Sequence, residues 1–191
     1  MSQQALVIQH FEQNIQTSMY AQDMLVAQIE QVGQLCTQVL LSNSNRLFTC
    51  GMQLSELVGQ YLSAALLKRE AGMKPALPSI NLNINSFMQM GSNAQSQSDA
   101  LRAFAQEKDL LIAFALDGDD LTINETVKVA KELGMNVVLI LGQQGYRVSE
   151  VLGESDVEIR IPADEDSSVI EHQILVSNTF IKLIDSELFG F

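Results

Sequence analysis

Short runs of β-forming residues alternate with longer helical stretches through most of the chain, and this order constrains the fold more than any other feature. Strands joined by helical crossovers form a parallel sheet that is covered by helices on both faces. A chain of 191 residues is long enough for one such domain and too short for two ordinary ones. We therefore predict one α/β domain over 1–191, a three-layer α/β/α sandwich. Its five predicted strands are 47–50, 79–82, 110–114, 137–141 and 157–161.

Both ends of the chain carry helical patterns that need additional surfaces. Apolar residues recur at helical spacing from Leu6 to Leu41, which predicts two helices or one interrupted helix. The stretch 169–188 predicts a last helix with apolar residues on more than one face, and the sheet can cover only one of them. We therefore expect the N-terminal helices, about 1–42, to pack on the core and on other subunits of a homo-oligomer.

Local signals predict two further helices in the middle of the chain. The segment from Thr122 to Glu125 fits a capping box and Gly134 fits a left-handed C-cap, so a helix is expected between them. The polar stretch 91–98 predicts a flexible loop that leads into a helix at 101–106.

The chain is strongly acidic, with 11 Lys and Arg against 23 Asp and Glu and a formal net charge of -12. Such a surface repels a phosphate backbone, so direct nucleic-acid binding is not expected. The acidity fits either a solvated surface or complementarity to a basic partner protein.

The distribution of apolar residues predicts a cytoplasmic protein. Residues 1–16 lack the basic cluster and apolar run of a signal peptide, and nowhere do about 18 apolar residues follow one another, so no membrane association is expected. Cys36 and Cys50 are the only cysteines and lie in apolar-periodic stretches, which predicts free buried thiols.

The turn after the first predicted strand, Gly51-Met52-Gln53-Leu54-Ser55, has the order of strand, glycine and helix start that can hold a phosphate on backbone N–H groups. It contains one glycine, and Met52, Gln53 and Leu54 restrict how closely a ligand approaches the backbone. The favoured interpretation is structural, with Gly51 making the turn and Ser55 capping the helix.

The turn after the third predicted strand, Ala115-Leu116-Asp117-Gly118-Asp119-Asp120, carries three carboxylates. A phosphate about 4 Å from one inward-pointing Asp is opposed by about 4 kcal/mol at an effective dielectric of 20, so we expect anion binding to be abolished. Asp at a helix start is also a good N-cap, and a calcium loop would need a glycine and a ligand where Leu121 and Thr122 stand.

The sequence offers no metal site and no catalytic set. His10 and His172 are the only histidines and lie far apart, with no cysteine or carboxylate at metal-ligand spacing. No nucleophile can be matched to a base and an orienting partner. We therefore expect no catalytic residue, no metal and no cofactor.

Several residues together resemble one known family, the sugar isomerase (SIS) family, and more closely its phosphoheptose isomerase branch. The resemblance extends over nearly the whole chain, and its strongest segment is 156–162. The other residues that carry it are Cys50, Gly51, Ser55, Gln60, 109–111, Gly142, Glu171 and 183–185.

The resemblance implies a flavodoxin-like five-stranded sheet, a homotetramer, and a sugar-phosphate pocket built from a G-N-G-x-S turn and an S-T-x-G-N-S turn. In this chain those turns become 51–55 and 115–120, and Gly118 alone survives from the second. The residues expected to form the vestigial pocket are Gly51, Gln53, Ser55, Gly118, Asp120 and Glu171.

The resemblance also implies where catalysis would take place. The isomerases carry His and Glu on the helix after the first turn, and Gln and His on the last helix, for zinc binding and proton transfer. The matching positions here are Tyr61, Ala65, Ile170 and Asn178, so both the metal ligands and the proton carriers are replaced.

The same branch includes bacterial proteins that are not enzymes and that bind the replication initiator DnaA. The resemblance thus implies a non-catalytic regulator of replication initiation that binds DnaA, with a phosphosugar isomerase or sugar-phosphate-binding regulator as the alternative. A third alternative is a different protein partner, held in an apolar cleft lined by Met52, Leu54, Tyr61 and Leu116. Leu188 and Phe189 are the candidate partner contacts, or else pack on a neighbouring subunit.

Overall fold

The computed structural model describes residues 2–42, 44–68, 74–83 and 96–190. In chain order these residues form α1 (Gln3–Leu41), β1 (Leu47–Gly51), α2 (Ser55–Leu67), β2 (Ser79–Asn81), α3 (Ser96–Phe104), β3 (Leu110–Phe114), α4 (Leu121–Glu132), β4 (Asn136–Leu141), a 3₁₀ turn (Ser149–Val151), β5 (Val157–Arg160) and α5 (Asp166–Phe189).

The strands form a parallel five-stranded sheet in the order β2-β1-β3-β4-β5. All five predicted strands are confirmed, with ends that shift by at most one residue. β2 lies on one side of β1, whereas β3, β4 and β5 follow on its other side. Ligands of open parallel sheets bind beyond the carboxyl ends of the strands at such a switch point, here between β1 and β3.

The sheet is covered on both faces, because alternate residues of each central strand enter two different cores. Leu110, Ile112 and Phe114 of β3 pack with α1, α2 and α5. Leu111 and Ala113 pack with α3 and α4 on the other face. All five side chains are buried. The predicted three-layer α/β/α sandwich is therefore confirmed.

The N-terminal helix differs from the prediction, because α1 runs for 39 residues as one continuous helix. Its second half buries Val32 and Cys36 in the core, and tertiary packing there supports the helix through Gly33. Gly33 lies against α5, where an added Cβ would stand 2.9 Å from Leu183 Cδ1. The first half leaves Phe11 and Ile15 exposed.

The starts of α3 and α4 also differ from the predictions. The capping box predicted at Thr122 is wrong: α4 begins two residues earlier, and Asp120 is its N-cap, accepting a 2.9 Å hydrogen bond from the backbone N–H of Ile123. Gly134 has a φ of 75°, as predicted for the end of this helix. Part of the predicted loop at 91–98 lies outside the described residues. Residues 96–98 are helical instead and form the first turn of α3.

Two predictions from composition can be compared with the structure. Cys36 and Cys50 are buried free thiols, as predicted. Burial raises the pKa of Cys36 to about 12, so its thiol stays neutral near pH 7. None of the described helices combines the length and the apolar composition that crossing a membrane requires.

Candidate functional site

Two turns meet at the carboxyl edge of the sheet, where β1 and β3 end. The first turn, 51–55, joins β1 to α2, and the second, 115–120, joins β3 to α4. They lie side by side because Gly51 is the register partner of Phe114. The structure thereby places Gly51, Gln53, Ser55, Gly118 and Asp120 of the predicted pocket at one edge of the sheet.

The first turn is tight because Gly51 has no side chain. A Cβ on Gly51 would stand 2.3 Å from the backbone oxygen of Ser55, so the chain could not fold back here with any other residue. The left-handed position is Gln53, with a φ of 55°. The N-cap of α2 is Leu54, which makes no side-chain capping bond, so the prediction that Ser55 caps the helix is wrong.

The hydroxyl of Ser55 donates instead to a buried glutamine on α5. The distance from Ser55 Oγ to Gln173 Oε1 is 2.9 Å. Gln173 Nε2 in turn donates to the backbone oxygens of Ala115, at 2.7 Å, and Ile140, at 3.1 Å. Ser55 and Gln173 are both fully buried. Gln173 therefore fastens the first turn to the ends of β3 and β4.

The backbone groups of Gly51 also have side-chain partners. Its N–H donates to Asn83 Oδ1 at 3.2 Å, and its oxygen accepts from Asn83 Nδ2 at 3.2 Å and from Gln97 Nε2 at 3.1 Å. Gln97 is buried and accepts a 3.2 Å hydrogen bond from Thr126 Oγ1. The first turn is thus closed by neutral amide and hydroxyl groups.

The second turn is held by its own carboxylates, each of which accepts from backbone N–H groups. Asp117 accepts from Asp119 at 2.7 Å, and Asp119 from Tyr146 and Arg147 at 3.2 and 3.3 Å. Asp120, the N-cap of α4, is the carboxylate whose charge acts on the end of β1. Burial, and secondly the charge of Asp120, raises the pKa of the Cys50 thiol far above its usual range.

A neighbouring segment, 143–147, covers the second turn. The N–H of Gly118 donates to the oxygen of Gln144 at 2.8 Å, and an added Cβ on Gly118 would stand 2.4 Å from the oxygen of Gly145. The Arg160 guanidinium holds this segment by donating to the oxygens of Gln143, at 2.9 Å, and Gly145, at 2.8 Å. The N–H of Gly118 therefore points at protein and is not open to an anion.

Besides the bond between Ser55 and Gln173, helices α2 and α5 share a second polar contact. Tyr61 Oη donates to Asn178 Oδ1 at 2.6 Å. Tyr61 is 41% exposed, so this contact lies at the surface, next to the exposed side chains of Leu54 and Leu57 on α2.

Comparison with known proteins identifies the family. No model of a protein family matches the chain. A phosphoheptose isomerase from Alkalilimnicola ehrlichii is 33% identical over 189 residues, which cover 96% of both chains. The chain belongs to the phosphoheptose isomerase family of SIS proteins.

Two further SIS proteins illustrate the range of the family. The DnaA initiator-associating protein DiaA of Photorhabdus laumondii is 30% identical over 184 residues, with 94% of this chain and 93% of that protein covered. A phosphoheptose isomerase structure from Francisella tularensis shares the fold, with a TM-score of 0.91 and 24% identity over 97% of this chain and 100% of that one. The SIS fold predicted from the resemblance is confirmed.

The four positions that the SIS resemblance assigns to zinc binding and proton transfer do not fit zinc. Tyr61 and Asn178 use their polar atoms on each other, and Ala65 and Ile170 offer no ligand atom. A zinc site needs imidazole, thiolate or carboxylate donors. Among the described residues, no group of three or more such side chains is close enough to hold a metal ion.

Glu171 does not join the two turns, although the resemblance places it in the pocket. Its side chain is 48% exposed and faces α1, where its carboxylate lies 3.7 Å from His10 Nε2. The helical spacing explains the difference, because Gln173, two residues further along α5, points to the opposite side and reaches Ser55.

The C-terminal apolar residues are less accessible than their position suggests. Leu188 and Phe189 are half-buried and pack against the core that α1, α2 and α5 share. Part of each side chain therefore packs within its own chain, and the rest remains exposed. α5 ends directly after Phe189, at Gly190 with a φ of 75°.

Sequence reasoning missed the residues that close the first turn: Asn83, Gln97 and Gln173. Gln173 stands between His172 and Ile174 in a helix that is apolar on several sides, and such a polar residue on an inward face needs a buried partner. That position was the available signal for Gln173. Asn83 follows the second strand and Gln97 lies within the polar stretch 91–98, and neither gives a comparable signal.

Proposed function

We propose that this SIS protein is not an enzyme and that it acts by binding the replication initiator DnaA. The buried hydrogen bond between Ser55 and Gln173 carries the first part of the proposal. A sugar phosphate would need the Ser55 hydroxyl and the backbone N–H groups of both turns, and those of Gly51 and Gly118 already have protein partners.

Opening this site for a phosphate is costly. Each buried polar group left without a partner costs about 1–3 kcal/mol, and the charge of Asp120 adds about 4 kcal/mol at a distance of about 4 Å. Their sum exceeds the binding free energy of a millimolar ligand, about 4 kcal/mol. We therefore expect no sugar phosphate to bind at the carboxyl edge.

Two observations support DnaA as the partner. A relative that is 30% identical over most of both chains is a DnaA initiator-associating protein. The net charge of -12 also suits a partner with a basic face, because opposite charges speed encounter and favour correct orientation. Such a partner places the chain in the cytoplasm. Leu188 and Phe189 are the proposed contacts, since each retains some exposed surface at the end of α5.

We further propose that the active form is a homotetramer, the assembly that the resemblance implies. The first half of α1 supports self-association, because Phe11, Ile15 and Met19 are 65%, 58% and 63% exposed. Polar side chains of the same half contact α5, as in the 3.0 Å contact between Ser18 and His172. Four copies would offer several DnaA sites, and linked contacts raise the effective concentration.

Titration of immobilised full-length DnaA with the purified protein tests the partner. We expect saturable binding, and weaker binding by Leu188→Ala and Phe189→Ala at unchanged helical content by circular dichroism. Leu121→Ala, an exposed leucine on α4, is the matched control and should bind like the wild type. Absence of saturable binding by the wild-type protein would overturn the proposal and leave a different protein partner.

The second candidate function is a phosphosugar isomerase or a sugar-phosphate-binding regulator. The phosphoheptose isomerase with 33% identity over 96% of both chains favours it. An assay of heptose-phosphate isomerisation, with and without added zinc, separates the two candidates. Turnover above the rate without protein would replace our first proposal by this one.

A further inference from the structure

A pocket of about 440 Å³ lies at the amino edge of the sheet, where the strands begin, opposite the two turns. Arg46 and Pro78, which directly precede β1 and β2, line it, together with Leu40 and Ser42 at the end of α1 and Gln106 after α3. No Asp or Glu is among the described residues that line it. Its volume falls within the range of about 300–1,000 Å³ that small-molecule sites occupy.

The wall of this pocket is held by hydrogen bonds within the protein. Ser42 Oγ donates to Asn45 Oδ1 at 2.7 Å, and Asn45 Nδ2 donates to Asp109 Oδ1 at 3.1 Å. Gln106 Nε2 donates to the backbone oxygen of Ser44 at 2.6 Å. Asn45 and Asp109 are both buried. Because these bonds fix the wall without a ligand, binding needs little further ordering of the protein.

Two hydrogen-bond donors of the pocket are not used by the described part of the protein. The Arg46 guanidinium and the Ser44 hydroxyl make no hydrogen bond or ion pair with any described residue. By contrast, Arg102 pairs with Glu132, and Arg160 uses its guanidinium on the segment 143–147. Arg46 is half-buried, in a pocket whose described lining has no carboxylate. A ligand with a negative charge fits these donors.

The buried carboxylate of Asp109 determines which anion fits. It accepts a 2.9 Å hydrogen bond from the backbone N–H of Arg46, so it lies directly behind the wall of the pocket. Coulomb repulsion is proportional to the charge of the ligand, so a phosphate dianion is repelled about twice as strongly as a monoanion. A planar carboxylate also matches the parallel N–H donors of a guanidinium.

We propose that the pocket at the amino edge binds a small organic monocarboxylate, whose carboxylate pairs with Arg46 and whose apolar body lies against Leu40 and Pro78. The Ser44 hydroxyl donates a further hydrogen bond to the carboxylate. The inference goes beyond the proposed function, because the site lies opposite the two turns and needs no protein partner.

A purely structural role for Arg46 predicts a different result. α1 has no basic residue in its last turn, and a cation near the end of a helix stabilises its last carbonyl groups. In that case the loss of Arg46 would lower the stability of the protein, and no carboxylate would bind. Binding and stability measured on the same variants therefore separate the two roles.

Saturation-transfer difference NMR with benzoate tests the pocket on the full-length protein. Benzamide is the matched control ligand, since it has the same ring and no charge. We expect a saturable signal for benzoate at millimolar concentration and no saturable signal for benzamide. Inorganic phosphate at the same ionic strength should not displace benzoate.

Arg46→Gln should weaken benzoate binding by about tenfold or more, because the charged hydrogen bonds are lost. Arg46→Lys and Ser44→Ala should each weaken it by about threefold, since a lysine lacks the planar pair of donors and the alanine lacks the hydroxyl. Arg147→Gln removes the same charge far from the pocket, after β4, and should bind like the wild type. Circular dichroism and thermal unfolding of each variant report whether it folds.

Three results would overturn the inference: no saturable binding of benzoate, equal binding of benzamide, or equal benzoate affinities of Arg46→Gln and Arg147→Gln. If Arg46→Gln does not fold, the milder variants Arg46→Lys and Ser44→Ala decide the question. Wild-type affinity in both of them would then overturn the inference, and weaker binding by folded variants would support it.

Discussion

The two turns at the carboxyl edge of the sheet are closed in different ways. The first, around Gly51 and Ser55, is closed by neutral amides that reach it from α3, α5 and the end of β2, and the α5 amide accepts from the hydroxyl of Ser55. The second, 115–120, is closed by carboxylates within the turn and by the backbone of 143–147.

The two turns show two different ways in which the edge of a sheet can be unsuited to binding an anion. In the first turn the donors are present but are bonded to other parts of the protein. Freeing them for a phosphate would break these contacts and lower the stability of the turn. In the second turn the N–H groups of Gly118 and Asp119 are bonded as well, and we expect the charge of Asp120 to repel a phosphate. Substitutions at the two turns should therefore have different effects on stability and on ligand binding.

The largest effect is expected from Gly51→Ala. The new methyl group would stand 2.3 Å from the backbone oxygen of Ser55, which cannot move without breaking the start of α2. We expect a loss of about 3 kcal/mol in the free energy of unfolding, measured by urea denaturation. Gly153→Ala is the control, since its Cβ would meet only side-chain atoms at 3.6 Å or more, and should change stability by less than about 0.5 kcal/mol. Similar stability of the two variants would contradict the tight first turn.

Gln173→Leu should have the next largest effect. It keeps the volume of the side chain but leaves the Ser55 hydroxyl and the oxygens of Ala115 and Ile140 without this partner. We expect a loss of about 2 kcal/mol by the same measurement. Gln60→Leu, at an exposed site on α2, is the control and should be nearly neutral. An unchanged midpoint for Gln173→Leu would show that the turn is closed by something else.

These residues also show what a sequence can and cannot predict here. Strands β1, β3 and β4 were predictable because each is a largely apolar run buried on both faces, and β5 because apolar and charged residues alternate along it. The end of α4 was predictable because Gly134 has a positive φ. The place of Gln173 on an apolar helix indicated a buried partner, but the partners themselves could not be predicted, since all three come from distant parts of the chain. The N-cap of α4 was misplaced because both Asp120 and Thr122 suit that position.

Asp120→Ala tests the second turn and should cost about 1 kcal/mol, because the N–H of Ile123 loses its cap. Asp120→Asn retains an acceptor and should remain close to the wild type in stability. Thermal unfolding of both variants measures the difference. Equal melting temperatures for the two variants would show that Asp120 does not cap α4.

The smallest effect is a pH dependence at Cys50, which lies between the two turns. Its pKa in the folded protein is raised above the ordinary value of 9.0, first by burial and then by Asp120. Its contribution to stability is therefore complete below pH 9 and decreases as the pH rises above it, because the unfolded chain then ionises more readily. When the pH rises from 8 to 9.5, the free energy of unfolding should fall more for the wild type than for Cys50→Ala. The difference between the two decreases should be less than about 1 kcal/mol. Parallel profiles would contradict the raised pKa.

We expect the carboxyl edge of this SIS protein not to bind a sugar phosphate. Isothermal titration of the wild-type protein with a heptose phosphate, and with inorganic phosphate in parallel, tests it most directly. We expect no saturable heat for either ligand at millimolar concentration. Saturable binding of the heptose phosphate that Ser55→Ala abolishes would contradict it and show that the first turn opens to hold a phosphate.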